Sequence, residues 1–248
     1  MNVGVIGLSA SGQVVVDSLL RKTAHNLLVY DPDGRGSNRT VTVCETAAEL
    51  CDKCGIIVIA LASAADLTAL CNGIAPFISD NQIFIDLTDT SPALAHTVAN
   101  GMRRHGAQYI DCGIFGANGL TDPFILFAGG NGEAFAAVQP IIRCFAPDLR
   151  YMGPAGRGKA VRLLCRALAA QIQESIGETA ALAASMGIDE RYFLESLSAF
   201  AEIAQPLAAL GGGEPAFSIQ ELMRDVAVVE EMSSRAALLR SRETTGKV

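Results

Sequence analysis

Through the first half of the chain, short apolar runs rich in Val and Ile alternate with stretches whose apolar residues recur at helical spacing. Residues 2–6 (NVGVI) read as a buried strand, 12–20 as a helix and 26–30 as a second strand. The segment 31–40 (DPDGRGSNRT) is a polar, glycine-containing loop, and 41–43 suit a short third strand. Residues 46–54 are helical in pattern, 56–61 form an all-apolar strand, and 64–71 are helical again. A strand at 83–86 precedes a helix opened by Ser91 and Pro92, with Ser as the cap and Pro in the first turn. Residues 108–111 and 124–128 are further strands, and 149–152 suit a last short one. Strand–helix alternation with apolar strands predicts an α/β fold with a Rossmann-type, doubly wound parallel sheet.

The period changes near Gly153. Residues 158–186 are rich in Ala and Leu, hold no Pro, and read as one helix about 40 Å long at the α-helical rise. Helices are expected at 190–204 and 218–240, and no strand pattern recurs. This predicts an α/β domain over 1–156 and an all-helical domain over 157–248, with 244–248 frayed.

Half of the 248 residues are apolar, aromatics are few and Trp is absent. The core must therefore be aliphatic, which suits helices on a parallel sheet. The net charge of −7, with no long basic run, argues against a nucleic-acid partner. Seven cysteines at irregular spacing form no disulfide framework and fit a reducing cytoplasm. Cys51 and Cys54 make a CxxC, but no second pair or nearby His completes a zinc site, so no metal is expected. Met1 to Gly7 is too short for the apolar part of a leader. No uninterrupted apolar stretch reaches the roughly 20 residues that span a bilayer, so no membrane association is expected.

The segment Gly7-Leu8-Ser9-Ala10-Ser11-Gly12 links the first strand to the first helix. It matches GxGxxG with Ser9 at the middle glycine. The first glycine permits the tight turn, the middle one lets backbone approach a pyrophosphate, and the last allows close helix–strand packing. Amides at the helix start then hold phosphate, and the Ser9 hydroxyl is a further phosphate donor. Asp31 ends the second strand, where a carboxylate accepts the ribose hydroxyls of NAD and repels a 2′-phosphate. Arg35 and Arg39 in the same loop can reverse that preference by pairing with the phosphate of NADP. The cofactor expected is NAD or NADP, with NAD slightly favoured. The alternative for Asp31-Pro32-Asp33-Gly34 is a simple turn, which is compatible with a ribose site.

Further motifs follow in order: DLTDTSP (86–92), YIDCGIFGA (109–117), FILFAGG (124–130), GPAGRGKAVRLLCR (153–166), ETAALAASMGID (178–189) and FSIQELMRDV (217–226). With GLSASG, this set resembles the 6-phosphogluconate/β-hydroxyacid dehydrogenase superfamily, which includes the imine reductases. The similar family patterns are D-x-S-T-x-x-P, D-A-P-V-S-G-G, G-x-x-G-x-G-x-x-x-K-x-x-N-N and F-x-L-x-x-x-x-K-D-L. The resemblance implies an NAD(P)-dependent oxidoreductase with a small-molecule substrate in an interdomain cleft. It also places Leu61, Ala62 and Ser63 near the adenosine ribose.

The resemblance fails at several family positions. The lysine that acts as acid/base corresponds to Arg162, and the following Asn pair to Cys165 and Arg166. The carboxylate-binding serine corresponds to Phe115, and the threonine near the nicotinamide to Asp89. The lysine of K-D corresponds to Arg224, which keeps the charge and remains a cofactor-binding candidate. Arginine stays protonated and cannot shuttle a proton, but it can clamp a carboxylate. Oxidation of ordinary 3-hydroxy acids is therefore not expected. The run 111–115 also resembles the D-G-A-I-M segment of imine reductases.

The catalytic candidates are Asp89, as an acid or iminium stabiliser, and Arg162 with Arg166, as an anchor for an anionic substrate. The alternative for Asp89 is a cap before Ser91-Pro92. The alternative for the arginine stripe is a solvated face, or ion pairs to Glu174 or Asp225. His25, His96 and His105 lie away from the motifs in sequence, and Cys112 and Cys165 are assigned no nucleophilic role. The expected activity is reduction of a small polar or anionic C=O or C=N compound. The rival is a non-catalytic dinucleotide-binding or assembly protein. Relatives bury the long helix between subunits, so a homodimer is expected.

Overall fold

A computed structural model describes residues 1–35, 41–116, 120 and 124–198. The first unit is built on strands β1 (Asn2–Ile6), β2 (Asn26–Tyr30), β3 (Thr42–Val43), β4 (Ile56–Ile59), β5 (Ile83–Asp86), β6 (Gln108–Phe115), β7 (Ile125–Gly129) and β8 (Leu149–Tyr151). Their order in the single sheet is β3-β2-β1-β4-β5-β6-β7-β8. The first six strands run parallel, and β7 pairs antiparallel to β6, with Cys112 opposite Ala128. The sheet is thus the expected doubly wound one with two reversed strands at one edge. The strand order reverses between β1 and β4, the place where such sheets open a crevice at their carboxyl ends.

Alternation along each strand divides the core. In β4, Ile56 and Val58 belong to one apolar layer and Ile57 and Ile59 to the other. The first layer packs under helices α1 (Ala10–Lys22) and α5 (Gly132–Phe145). The second lies under α2 (Ala47–Lys53), α3 (Ala64–Ile74) and α4 (Pro92–Arg104). Strands buried on both faces need no polar alternation, which is why they are legible as continuous apolar runs. The helix α5 is absent from the sequence expectation. Its interior Pro140 removes one backbone bond, a cost of about 3 kcal/mol. Phe135, Val138, Ile141, Ile142 and Phe145 are all buried on it, each worth roughly 1.5–3 kcal/mol. The burial outweighs the proline, and Asn131 caps the helix through Glu133 N and Ala134 N.

Helix α6 (Arg157–Ser185) realises the expected long helix over 29 residues, and α7 (Glu190–Ser198) follows it. The expected helix at 218–240 lies outside the described residues. The chain divides into two compact units, Met1–Leu168 and Ala169–Val248. The first turns of α6 belong with the sheet because Gly113 and Gly158 let it approach β6 closely. A Cβ on Gly158 would come within 2.5 Å of Phe127 O, and one on Gly113 within 2.4 Å of Gly158 O. Among the described residues, no helix is long and apolar enough to cross a membrane.

Candidate functional site

The turn from β1 to α1 is a backbone cradle. Gly7 has φ +93°, and a Cβ there would meet Ala60 O at 2.4 Å. A Cβ on Gly12 would meet Gly7 O at 2.0 Å, so the helix can start this close to the strand only with glycine. Ser9 departs from expectation. Its hydroxyl donates to Ala60 O at 2.9 Å and accepts from Gly12 N at 3.5 Å, capping α1 instead of standing ready for a phosphate. Ala10 and Ser11, in the first turn, have backbone amides with no acceptor among the described residues.

Asp31 lies at the end of β2, next to this turn. Its side chain is 1 % exposed. Oδ2 accepts from Leu8 N, while Oδ1 accepts from Asp33 N at 2.9 Å, Arg35 N at 3.2 Å and Arg35 Nε at 3.2 Å. Burial alone would raise its pKa. The bonds from Leu8 N and the Arg35 side chain, then those from the Arg35 and Asp33 amides, outweigh it and hold the carboxyl below its ordinary value. The Leu8 amide is occupied by Asp31, and Asp31 is an internal acceptor that braces the glycine turn. Arg39 lies outside the described residues.

Beside this turn, Ile6, Tyr30, Pro32, Ala47, Leu61 and Leu70 help to line a pocket of about 370 Å³. It sits at the carboxyl ends of β1, β2 and β4, has mostly apolar walls and suits a flat heteroaromatic ring. Of the residues expected near the ribose, Leu61 lines the pocket, Ala62 is exposed, and Ser63 caps α3 through Asp66 N at 3.2 Å.

A second cluster forms where β5, β6 and α6 meet. Lys159 is 1 % exposed and Asp86 fully buried, and they form an ion pair at 3.1 Å. The Lys159 ammonium also donates to Asp86 O at 3.2 Å, Cys112 O at 2.9 Å and Thr88 O. Asp86 further accepts from Tyr109 Oη at 2.6 Å and Thr88 N at 2.9 Å. Burial, then the charge and hydrogen bond of Asp86, push the Tyr109 hydroxyl well above its ordinary pKa. Asp111 caps the start of α6, accepting from Gly156 N at 2.5 Å and Lys159 N at 2.9 Å.

One turn further along α6, Arg162 repeats the crosslink. Its Nη1 and Nη2 grip Asp89 Oδ1 and Oδ2, each at 2.5 Å, and its Nε donates to Ile114 O at 3.1 Å. The two α6 cations therefore tie the same two segments together, the turn after β5 and the end of β6. The structure joins Asp89 and Arg162 but not Arg166, which is exposed and has no hydrogen bond or ion pair among the described residues. Arg162 is 14 % exposed and Asp89 60 %, so the carboxylate is the accessible half of the pair.

The fork of Arg162 is already committed to Asp89 and Ile114. Asp89 is not a helix cap, because Ser91 caps α4 through Leu94 N at 3.2 Å. Asp89 also lacks the burial expected of a proton donor. His96, remote from the motifs in sequence, has its Nε2 2.6 Å from where a Cβ on Gly156 would stand. Arg224 and Asp225 lie outside the described residues.

Sequence reasoning missed Lys159. Its one signal is a lysine three residues before Arg162 on a helix that must touch an apolar sheet. It also missed Thr90, whose Oγ1 is buried with no partner among the described residues. An orphaned hydroxyl in the turn after β5 and a glycine cradle after β1 both suit a bound polar molecule at the sheet's carboxyl ends. The buried Cys112 thiol is pushed far up by burial and is no nucleophile.

A glycine turn at the strand-order reversal, followed by a helix start with unpartnered amides, defines a dinucleotide-binding α/β protein. The family model for the NAD binding domain of 6-phosphogluconate dehydrogenase matches residues 2–153, and the chain belongs to that family. It is 23 % identical over 247 residues to the uncharacterized oxidoreductase YkwC of Bacillus subtilis, covering 92 % of this chain and 84 % of that one. It is 27 % identical over 207 residues to mitochondrial 3-hydroxyisobutyrate dehydrogenase of Drosophila melanogaster, covering 79 % of this chain and 63 % of that enzyme.

Among solved structures, an Aspergillus terreus imine reductase, in complex with NADPH4 and dibenz[c,e]azepine, matches with a TM-score of 0.77. Its identity is 17 %, over 95 % of this chain and 87 % of that one. A Mycobacterium tuberculosis 3-hydroxyisobutyrate dehydrogenase matches at 0.70 and 18 % identity, over 98 % and 94 %. The protein is thus an oxidoreductase of the NAD(P)-binding type.

Proposed function

We propose that this protein is an NAD(P)H-dependent reductase of a small C=N compound. The carrying observation is the Asp89–Arg162 pair, which turns an accessible carboxylate outward and fixes it from behind with a bidentate guanidinium. When bound, the nicotinamide cofactor supplies a hydride. The amides of Ala10 and Ser11 would hold the diphosphate, the Leu61-lined pocket the adenine, and the Thr90 hydroxyl a polar group of cofactor or substrate.

An iminium carries its proton already, so its reduction to an amine needs no acid from the protein. A carbonyl would leave an alkoxide that Arg162 cannot protonate. A fixed carboxylate stabilises the iminium cation and orients it. The committed fork of Arg162 argues against an anionic substrate. The non-catalytic reading is favoured by one observation, the replacement of the family's acid/base lysine and Asn pair by Arg162, Cys165 and Arg166.

Cyclic imines and aldehydes offered with NADPH and NADH, and 3-hydroxy acids offered with NADP+ and NAD+, test this by the absorbance of the reduced nicotinamide. Imine turnover is expected, with Asp89→Asn lowering kcat/KM roughly 100-fold, as losing a fixed electrostatic partner does. Turnover of a 3-hydroxy acid that Asp89→Asn leaves intact would overturn it. Cofactor binding without any turnover would support the non-catalytic reading.

A further inference from the structure

Lys159 is held at both ends. Its amide donates to Asp111 Oδ2 at 2.9 Å, and its ammonium pairs with Asp86 Oδ2 at 3.1 Å. Asp86 and Asp111 are partners in the register of β5 and β6, so the side chain bridges two adjacent strands. The ammonium also donates to the carbonyls of Asp86, Thr88 and Cys112, at 3.2 Å for the first and 2.9 Å for the last. It has three donor hydrogens, and these acceptors use all of them. With 1 % of the side chain exposed, it has neither a spare donor nor a path to a bound molecule. Lys159 is therefore not a catalytic residue, and its effect on the site must pass through what it grips.

Thr88 immediately precedes Asp89, and Cys112 stands two residues before Ile114, whose carbonyl takes Arg162 Nε. The turn that carries Asp89 has two other ties. Thr88 N donates to Asp86 Oδ1 at 2.9 Å, and Thr88 Oγ1 accepts from Leu61 N at 3.2 Å. Leu61 lines the pocket read above as the adenine site, so this turn lies between that pocket and Asp89. The Asp89 side chain is 60 % exposed, and among the described residues its carboxylate has Arg162 as its one partner. An exposed carboxylate on a turn keeps its freedom unless both its backbone and its partner are fixed. Lys159 and Arg162 are spaced i, i+3 on one face of α6. The first fixes the backbone beside Asp89, and the second fixes the carboxylate itself.

We infer that Lys159 is a positioning residue for the reduction: through the Asp86 and Thr88 carbonyls it sets where the Asp89 carboxylate stands. This role rests on the reading of Asp89 as the partner of the iminium. It gives the buried lysine a part in turnover that is separate from its part in stability.

Lys159→Met with Asp86→Asn removes both buried charges and leaves neither unpaired, and the asparagine oxygen can still accept from Thr88 N. Turnover of a cyclic imine with NADPH is measured on the full chain, at a temperature where unfolding curves show it folded. The paired variant is expected to lower kcat by at least about tenfold, within the roughly 100-fold that a 1 Å misplacement costs. Its NADPH dissociation constant should stay within about twofold of wild type, because the glycine turn is remote from the change. The decisive reading is the same pair of changes made in an Asp89→Asn background. There kcat should move by less than about twofold, since the group that Lys159 aims is already gone. A purely structural role would cost the same factor in both backgrounds. Should the methionine pair fail to fold, Lys159→Gln with Asp86→Asn keeps hydrogen-bonding groups in the site and is read in the same way. Unchanged kcat in the paired variant, or an equal loss with and without the Asp89 carboxylate, overturns the inference. A wild type that reduces no imine, or an Asp89→Asn variant as fast as wild type, overturns the function beneath it and the inference with it.

Discussion

Lys159 shows what a single buried charge can organise. Its ammonium satisfies a fully buried carboxylate and three main-chain carbonyls, from two segments that adjoin Asp89 and Ile114. Removing one member of such a pair strands the other, which costs about 3–5 kcal/mol, whereas removing both costs far less than the sum. Lys159→Met should therefore destabilise the protein by about that amount in denaturant unfolding. Adding Asp86→Asn should recover much of the loss. Additive effects would show that the pair is not coupled. Asp31 gives the corresponding pH statement. Its folded-state pKa lies below the ordinary 3.8, so its contribution is complete above 3.8 and is lost as pH falls through the lowered folded value. The melting-temperature gap between wild type and Asp31→Asn should hold from neutral pH down to 3.8 and shrink below it. A gap that closes already near neutrality would contradict the bracing role.

At the scale of elements, the parallel strands were legible because strands covered on both faces must be apolar throughout, as the IIVI run of β4 is. The glycine turn was legible because only glycine fits at Gly7 and Gly12. Gly12→Ala should displace the start of α1 and lower cofactor affinity by at least about tenfold, the loss expected when one charge-assisted phosphate contact goes. Titration with NADPH checks this, and unchanged affinity would remove the cradle from the site. The helix α5 was not legible, since its Pro140 is a breaker locally and its compensation lies across the sheet. The extension of β6 to Phe115 was hidden for a similar reason. The sequence pattern gave the strand only over 108–111, while Gly113, inside β6, admits the first turn of α6. In the site, residue types were legible and their partners were not. Asp89 and Arg162 are 73 positions apart, and nothing local reveals that one takes up the other's fork. Asp31 likewise stood where a ribose ligand belongs, and only its bonds to Leu8 and Arg35 show it facing inward.

For the whole molecule, α6 carries unanswered packing among the described residues. Leu164, Leu168 and Ile172 are exposed at spacing i, i+4, i+8, so they form one apolar stripe on one helix face. They are 68 %, 42 % and 38 % exposed, so burying what remains of each is worth only that part of the roughly 1.5–3 kcal/mol of full burial. A two-fold interface would count each residue twice, because the same patch serves both copies. That sum offsets a substantial part of the entropy lost on association. The expected assembly is a homodimer held by this stripe. Light scattering on the full chain should give twice the 25.9 kDa chain mass. Leu168→Glu would place an unpaired charge at the centre of the contact and should shift the population to monomer, with the Asp89–Arg162 pair and the glycine cradle untouched. NADPH binding measured on the same variant separates the two effects. Retained affinity at monomer mass would show that the nucleotide site is complete within one chain. A wild type that scatters at monomer mass would refute the assembly outright.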